Sequence, residues 1–382
     1  MRRTRGDRMK VLHVIPAVAP RYGGPSSAIG GLVRSLRRCG VDAIVATTSA
    51  DGGGELDVPL GSEVEYGGMR AIFFRRDFSE SYKYSRSLAS WLDSNVASYD
   101  LVHIHAVFSH SSIAAAAACR RRGVPYVVRP IGSLYPWALA HHKRRKQAMM
   151  VVGGARRMLQ HASALHYTCE DEKRLAEDRL RLPRGFVTSL GVDDAMFDSE
   201  RIERPYVIFT GRMHVVKRLE WLIRAFASTR RDRWRLVLAG DGPFDYVSVL
   251  KSLVRDCGAA GAVDFVGWKS VDEKRALIAG AAVAALVSSQ ENFGVAAAEA
   301  MAAGVPVIVA REVGLSNDVA VSNAGWVVNG GGLEATLTAA MTDIEDRKRR
   351  GAAARSWAEA HYRWDGVARS LIGEYERLVG AP

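Results

Sequence analysis

Short runs of apolar, mostly β-branched residues alternate along the chain with longer stretches whose apolar positions recur at helical spacing. Val11–Ile15 is followed by a helical pattern over Ser26–Arg38 and by a second run at Ala43–Thr47. A helix at Tyr82–Val96, a strand at Leu101–His105, a helix at Ser111–Arg121 and a strand at Tyr126–Arg129 continue the alternation. The strands are apolar at consecutive positions, which is the pattern of strands covered on both faces. A parallel sheet between helical layers is therefore predicted.

After the polar stretch Asp193–Pro205 the series starts again, with strands at Tyr206–Thr210, Arg235–Ala239, Val263–Val266, Ala282–Leu286 and Val305–Ala310. Helical patterns at Lys217–Ser228, Phe244–Arg255 and Gly294–Ala303 fall between them, and Lys348–Leu378 reads as two helices with Trp357, Tyr362, Trp364 and Tyr375 as aromatic packing. The fold class expected is α/β: two doubly wound units joined near residue 200, which would face each other across a cleft, each with its ligand edge at the carboxyl ends of its strands. The length of 382 residues agrees, because one domain usually takes ~150. The expected division is 1–200 for the first domain, 201–362 for the second, and 363–382 for a C-terminal helix returning to the first.

Composition narrows the class. Hydrophobic residues make up 48% and charged residues 25%, the balance of a globular enzyme. The longest apolar runs, Ala281–Val287 and Val305–Ala310, fall far short of the ~20 residues a membrane-spanning helix needs. Met1–Arg8 is basic and leads straight into Val11–Ile15, too short for the apolar region of a signal peptide, so a cytoplasmic location is expected. Cys39, Cys119, Cys169 and Cys257 show no Cys-x-x-Cys spacing, and neither disulfides nor a zinc site is expected.

The net charge of +12 is unevenly spread: between Asp100 and Glu170 there are ten Lys or Arg residues and no acidic one. Arg120–Arg122, Lys143–Lys146 and Arg156–Arg157 carry most of it, and His141 and His142 read as part of the same basic helix surface. A solvated face, or an anionic membrane surface or lipid-phosphate acceptor, fits the pattern. Nucleic acid does not, because no nucleic-acid module accompanies the charge.

The residues with the clearest chemistry follow the strand at Ala282–Leu286. There a loop bears Glu291, and a small-residue helix opens near Gly294 and carries Glu299. The amides of Asn292, Phe293, Gly294 and Val295 would sit at a helix N-terminus, where the dipole favours an anion such as a diphosphate. Carboxylates only accept hydrogen bonds, so Glu291 and Glu299 suit vicinal hydroxyls on either side of that anion. Gly211-Arg212 ends a strand and Lys217 opens the next helix, placing two cations at a strand's carboxyl end. Gly23-Gly24, after the first strand, would let backbone approach a phosphate closely, or would serve a turn needing positive φ.

Taken together these segments resemble the EX7E signature of glycosyltransferase family 4 and its retaining relatives, which have the two-domain, Rossmann-like GT-B fold. Tyr22-Gly23-Gly24-Pro25, Asp100–His105, Gly211-Arg212 with Lys217, Leu238–Pro243 and Phe265–Trp268 extend the resemblance over nearly the whole chain. It implies that Glu291 binds the donor sugar, that Glu299 binds the ribose hydroxyls, and that Arg212 and Lys217 act on the diphosphate. His103 and His105 point to one face of their strand, and by the family pattern His105, nearer the strand end, is the better candidate for a sugar or acceptor contact.

One departure stands out. Where many relatives have Pro-His-Gly, this chain has Pro130-Ile131-Gly132, and Ile131 can neither donate a hydrogen bond nor move a proton. Either Arg129 takes over part of that polar role or the sugar differs. The resemblance implies a UDP-, GDP- or ADP-sugar donor, a glycan or polyprenyl-diphosphate-linked acceptor, front-face substitution with retention, and no metal or other cofactor. A role in cell-surface polysaccharide synthesis, in the cytoplasm or peripheral at the inner face of the membrane, would follow. The alternatives on the same architecture are a nucleotide-sugar epimerase, a phosphorylase and a non-catalytic sugar-nucleotide sensor.

Overall fold

The structure is a computed structural model and describes residues 8–140, 143–183, 185–229 and 233–380. His141, His142 and most of the basic segment Met1–Arg8 lie outside the described residues. The chain divides into two compact units, one of residues 1–191 with 364–382 and the other of residues 192–363.

The first unit holds an eight-stranded sheet. Its strands are β1 (Lys10–Ala17), β2 (Asp42–Thr48), β5 (Glu63–Tyr66), β6 (Met69–Phe74), β7 (Leu101–His105), β8 (Tyr126–Arg129), β9 (Ala164–Tyr167) and β10 (Phe186–Val187). They run in the order β10-β9-β8-β7-β1-β2-β6-β5, and a small hairpin of β3 (Ala50–Asp51) and β4 (Gly54–Glu55) lies outside the sheet. All pairings in the sheet are parallel except β5 with β6. That antiparallel edge was not anticipated from the sequence. Gly67 and Gly68, both with positive φ (56° and 75°), close it as a two-residue turn of the kind the right-handed twist of strands favours.

The C-terminal helix Trp364–Gly380 belongs to this unit. Arg38 and Ser35, on the helix Gly24–Arg38, both bind the Asp365 carboxylate, the arginine at 2.6 Å. A Cβ on Gly31 would lie 2.4 Å from the Trp364 ring and one on Gly191 would lie 2.1 Å from it, so both glycines make room for that indole.

In the second unit the sheet is wholly parallel, in the order β13-β12-β11-β14-β15-β16. Its strands are β11 (Arg204–Thr210), β12 (Arg235–Ala239), β13 (Val263–Gly267), β14 (Ala281–Leu286), β15 (Val307–Ala310) and β16 (Gly325–Val328). Every residue of β14 and β15 is buried, as the unbroken apolar runs require. The strand order reverses direction between β11 and β14, the switch point where open α/β sheets bind ligands beyond their carboxyl ends. Among the described residues, no helix is long and apolar enough to cross a membrane.

Candidate active site

The loops leaving β11, β12 and β14 carry the second unit's candidate residues. Gly211 and Gly240 both take φ values open to few residues but glycine (139° and 137°), and a Cβ on Gly240 would lie 2.0 Å from Gly211 O. Met213 N donates to Asp241 O at 2.7 Å, so the two exit loops are joined by backbone and leave no room for side chains between them.

Lys217 does not open the following helix as the sequence suggested. It ends a short 3-10 turn, Val215–Lys217, and Arg218, left-handed at φ 50°, separates that turn from the helix Leu219–Thr229. On this turn the Lys217 ammonium forms a salt bridge with the carboxylate of Glu291. Backbone bonds hold the turn and the Glu291 loop together: Ser289 N and Oγ both donate to Val216 O, at 2.8 and 3.2 Å. On its other side the loop is fixed by Glu291 N donating to Glu312 O at 3.2 Å and Gly314 N donating to Glu291 O at 2.9 Å. Arg212 is exposed, with no ion-pair partner among the described residues.

Gly294, at φ 106°, caps the helix Val295–Ala302. Ala297 and Ala298 return their amides to Gly294 O, leaving Val295 and Ala296 with the open N–H groups of the helix start. Phe293 enters the candidate donor contacts through its backbone amide and not through its side chain. Its ring is 2% exposed and packs edge-to-face on Tyr362 at 5.4 Å, so its side chain serves the core.

Glu299, one turn into the helix, meets a partner the sequence reading missed: Lys274 Nζ donates to Glu299 Oε1 at 2.6 Å. Lys274 stands among charged residues in the first turn of the helix Val271–Ala279, and nothing in its local pattern signals the contact.

The first unit looks different from expectation. Gly23 takes φ 73° and no atom lies within 4 Å of a Cβ built on it or on Gly24, so the backbone there faces open space. The anion site is thin, however. Ser26 and Ser27 return their amides to Gly23 O and Pro25 has none, which leaves the Gly24 amide alone at this helix start.

His105 and Arg129 are 1% and 3% exposed, so in this conformation neither side chain is presented to a ligand in solution. They belong to a buried polar cluster on adjacent strands: His13 on β1, His103 and His105 on β7, Arg129 on β8 and His166 on β9. Hydrogen bonds set its tautomers. His166 Nε2 donates to Thr188 O at 3.0 Å, so its Nδ1 accepts from His103 Nε2 at 3.3 Å, and His103 Nδ1 then accepts from the Tyr375 hydroxyl at 2.6 Å. His13 Nδ1 and His105 Nε2 lie 3.0 Å apart. Ring nitrogens of His13, His103 and His105 fall within 4.8 Å of one another, near enough for a metal. Two facts weigh against that use: both nitrogens of His103 are engaged, and the Arg129 guanidinium adds positive charge to the cluster.

Burial, with the Arg129 charge as a lesser cause, holds His13 and His166 down to about 3 and keeps His103 and His105 well below the usual histidine range. Depressed pKa values on a base make folding favour the neutral form. Stability from these groups is complete above the unfolded-state pKa of about 6.5 and is lost as pH falls from there toward the folded-state values, by up to about 1.4 kcal/mol per pH unit for each histidine. Denaturant unfolding followed across mildly acid pH should therefore show a steep loss of stability below about pH 6. A flat profile down to about pH 5 would contradict neutral burial of this cluster.

Comparison with known proteins gives the family. Residues 193–357 match the family described as glycosyl transferases group 1, and residues 23–191 match the glycosyl transferase 4-like domain. The GDP-mannose:cellobiosyl-diphosphopolyprenol alpha-mannosyltransferase of Komagataeibacter xylinus is 26% identical over 98% of this chain and 95% of its own length. The GDP-mannose-dependent alpha-(1-6)-phosphatidylinositol monomannoside mannosyltransferase of Mycobacterium tuberculosis is 36% identical, but the match spans 44% of this chain and 46% of that relative, less than half its length.

Among solved structures, sucrose-phosphate synthase from Thermosynechococcus elongatus is similar at a TM-score of 0.80, covering 98% of this chain and 100% of that one at 19% identity. Anabaena HepE in complex with UDP is similar at 0.77, covering 97% and 100% at 18% identity. At these identities the structural likeness speaks for the fold alone. The two family matches together run through both units, and the chain belongs to the group 1 glycosyltransferases, with a glycosyl transferase 4-like N-terminal domain and the GT-B fold.

Proposed function

We propose that this chain is a retaining glycosyltransferase that moves a hexose from a nucleoside-diphosphate sugar to a lipid-linked glycan, with GDP-mannose as the first donor to test. The observation that carries the reading is the Lys217–Glu291 salt bridge, on two loops tied to each other by backbone and followed by the helix start at Gly294. Such a grouping offers a cation and open amides to a diphosphate and a carboxylate to sugar hydroxyls. The names of the mannosyltransferases from K. xylinus and M. tuberculosis, which specify GDP-mannose and lipid-borne acceptors, support the choice of donor and acceptor class.

In the proposed reaction the bond between the sugar's anomeric carbon and the diphosphate oxygen breaks, its electron pair leaving with the diphosphate. The acceptor hydroxyl attacks the same face of the sugar, and its proton passes to the departing diphosphate oxygen. Lys217, Arg212 and the amides of Val295 and Ala296 stabilise the charge that develops there, an effect worth roughly 3 kcal/mol or more for each well-placed donor. Glu291 holds the sugar and Glu299 the ribose.

The basic segment supports an anionic surface as the place of work. Arg144, Arg145, Arg156 and Arg157 are exposed, and Val151 and Val152 between them are 78% and 87% exposed. Cationic side chains around exposed apolar ones suit a bilayer with anionic lipids.

The reading is tested by offering GDP-, UDP- and ADP-sugars to the purified protein with a polyprenyl-diphosphate-linked glycan, in vesicles with and without anionic lipid. Release of nucleoside diphosphate, faster on anionic vesicles, is the expected result. A protein that binds a donor and never turns it over with lipid or soluble acceptors would be a sensor instead.

A further inference from the structure

Three cations lie close together around the first turn of the helix Val271–Ala279, and two of them have local partners. Lys269 pairs with Glu273 at 3.7 Å and Arg275 with Asp272 at 2.9 Å. Lys274 alone reaches off its own helix, to Glu299 Oε1 at 2.6 Å.

Its position is fixed. Ser270 and Glu273 form a reciprocal capping box, with Glu273 N donating to Ser270 Oγ at 3.3 Å and Ser270 N donating to Glu273 Oε2 at 2.9 Å, and Lys274 N closes the turn on Ser270 O at 2.9 Å. A cation this near a helix N-terminus runs against the helix dipole. The Glu299 carboxylate offsets that cost, and the pair is half shielded, with side-chain exposures of 33% and 14%.

We infer that Lys274 is a positioning residue for the donor's nucleoside: by holding Oε1 of Glu299 it presents Oε2 to the ribose hydroxyls. The inference rests on the reading of Glu299 as the ribose-binding carboxylate. No hydrogen bond occupies Oε2 among the described residues. A carboxylate anchored through one oxygen loses the rotation it would otherwise give up on binding, so the ligand's hydroxyls meet an acceptor already aimed.

The test uses calorimetric titration of the full chain with GDP, UDP and ADP and with their 2′,3′-dideoxy forms, which lack both hydroxyls. Wild type is expected to prefer the tightest ribonucleotide over its dideoxy form by about a hundredfold, the order expected when hydroxyls bond to a charged acceptor. Lys274→Met should narrow that preference to about tenfold or less while leaving dideoxy affinity unchanged, and Lys274→Arg should restore most of it.

A Lys274→Met variant that weakens both forms equally would mean a merely structural role and overturn the inference. Glu299→Gln separates the two layers. If it abolishes the preference and Lys274→Met leaves it at the wild-type value, the lysine's role fails and the carboxylate's stands. If the preference survives Glu299→Gln, the ribose reading fails, and if no nucleotide binds wild type, the donor reading fails with it.

Discussion

Replacing Lys217 with alanine is expected to lower kcat by about 10²–10³-fold while changing donor affinity by much less, since a charge aimed at the leaving group acts mainly in the transition state. Two effects combine. In the proposed reaction the diphosphate loses a cation, and Glu291 keeps its place between the strand-end loops but loses its counter-charge. An uncompensated carboxylate facing a departing dianion opposes bond cleavage, so Lys217→Ala should be worse than a simple subtraction of one contact. The double variant Lys217→Ala with Glu291→Gln measures this: its loss should be smaller than the product of the two single losses. Full activity in Lys217→Ala would remove the lysine from the reaction.

Gly314→Ala should also cut activity, from a position outside the proposed donor contacts. A Cβ there would lie 2.0 Å from Asn292 O and 3.1 Å from Phe293 Cα, backbone atoms that no rotamer change can move aside. Its amide also donates to Glu291 O, so the clash falls on the segment that aims the Glu291 carboxylate. Overpacking of this kind costs about 3 kcal/mol, and the shifted loop should cut kcat/KM by at least an order of magnitude even where the variant folds. Thermal unfolding and donor turnover read the two effects separately. Gly261→Ala is the control, because nothing lies within 4 Å of its Cβ and its φ is not in the positive region; wild-type behaviour in both variants would contradict the packing argument.

The parallel sheets were legible because strands covered on both faces must be apolar at every position, as β14 and β15 are. The β5–β6 hairpin was overlooked although Gly67-Gly68 marks its turn, since Glu63–Tyr66 is half polar and reads weakly as a strand. Glu291 and Lys217 could be found because glycines and strand ends punctuate the sequence around them. Lys274 could not be, because its partner stands 25 residues away on another helix and only packing brings them together.

The histidines show what spacing along one strand leaves out. His103 and His105 were noticed for their spacing, but His13 and His166 sit singly in apolar strands, and it is the lateral order β9-β8-β7-β1 that gathers them around Arg129. What reads along the chain as a possible contact with substrate is, in the folded unit, a hydrogen-bonded core. Tyr375, from the far end of the sequence, completes it.

The central claim is that the second unit holds a nucleoside-diphosphate sugar between Lys217, Glu291 and the helix start at Gly294 and that the sugar is transferred with retention. Nuclear magnetic resonance of the glycosylated product, formed from a donor of known anomeric configuration, tests this most directly. The account predicts nucleoside diphosphate release matched by a product with the donor's own anomeric configuration, and loss of both in Lys217→Ala. An inverted product, or donor binding with no transfer to any lipid-linked or soluble glycan, would contradict it.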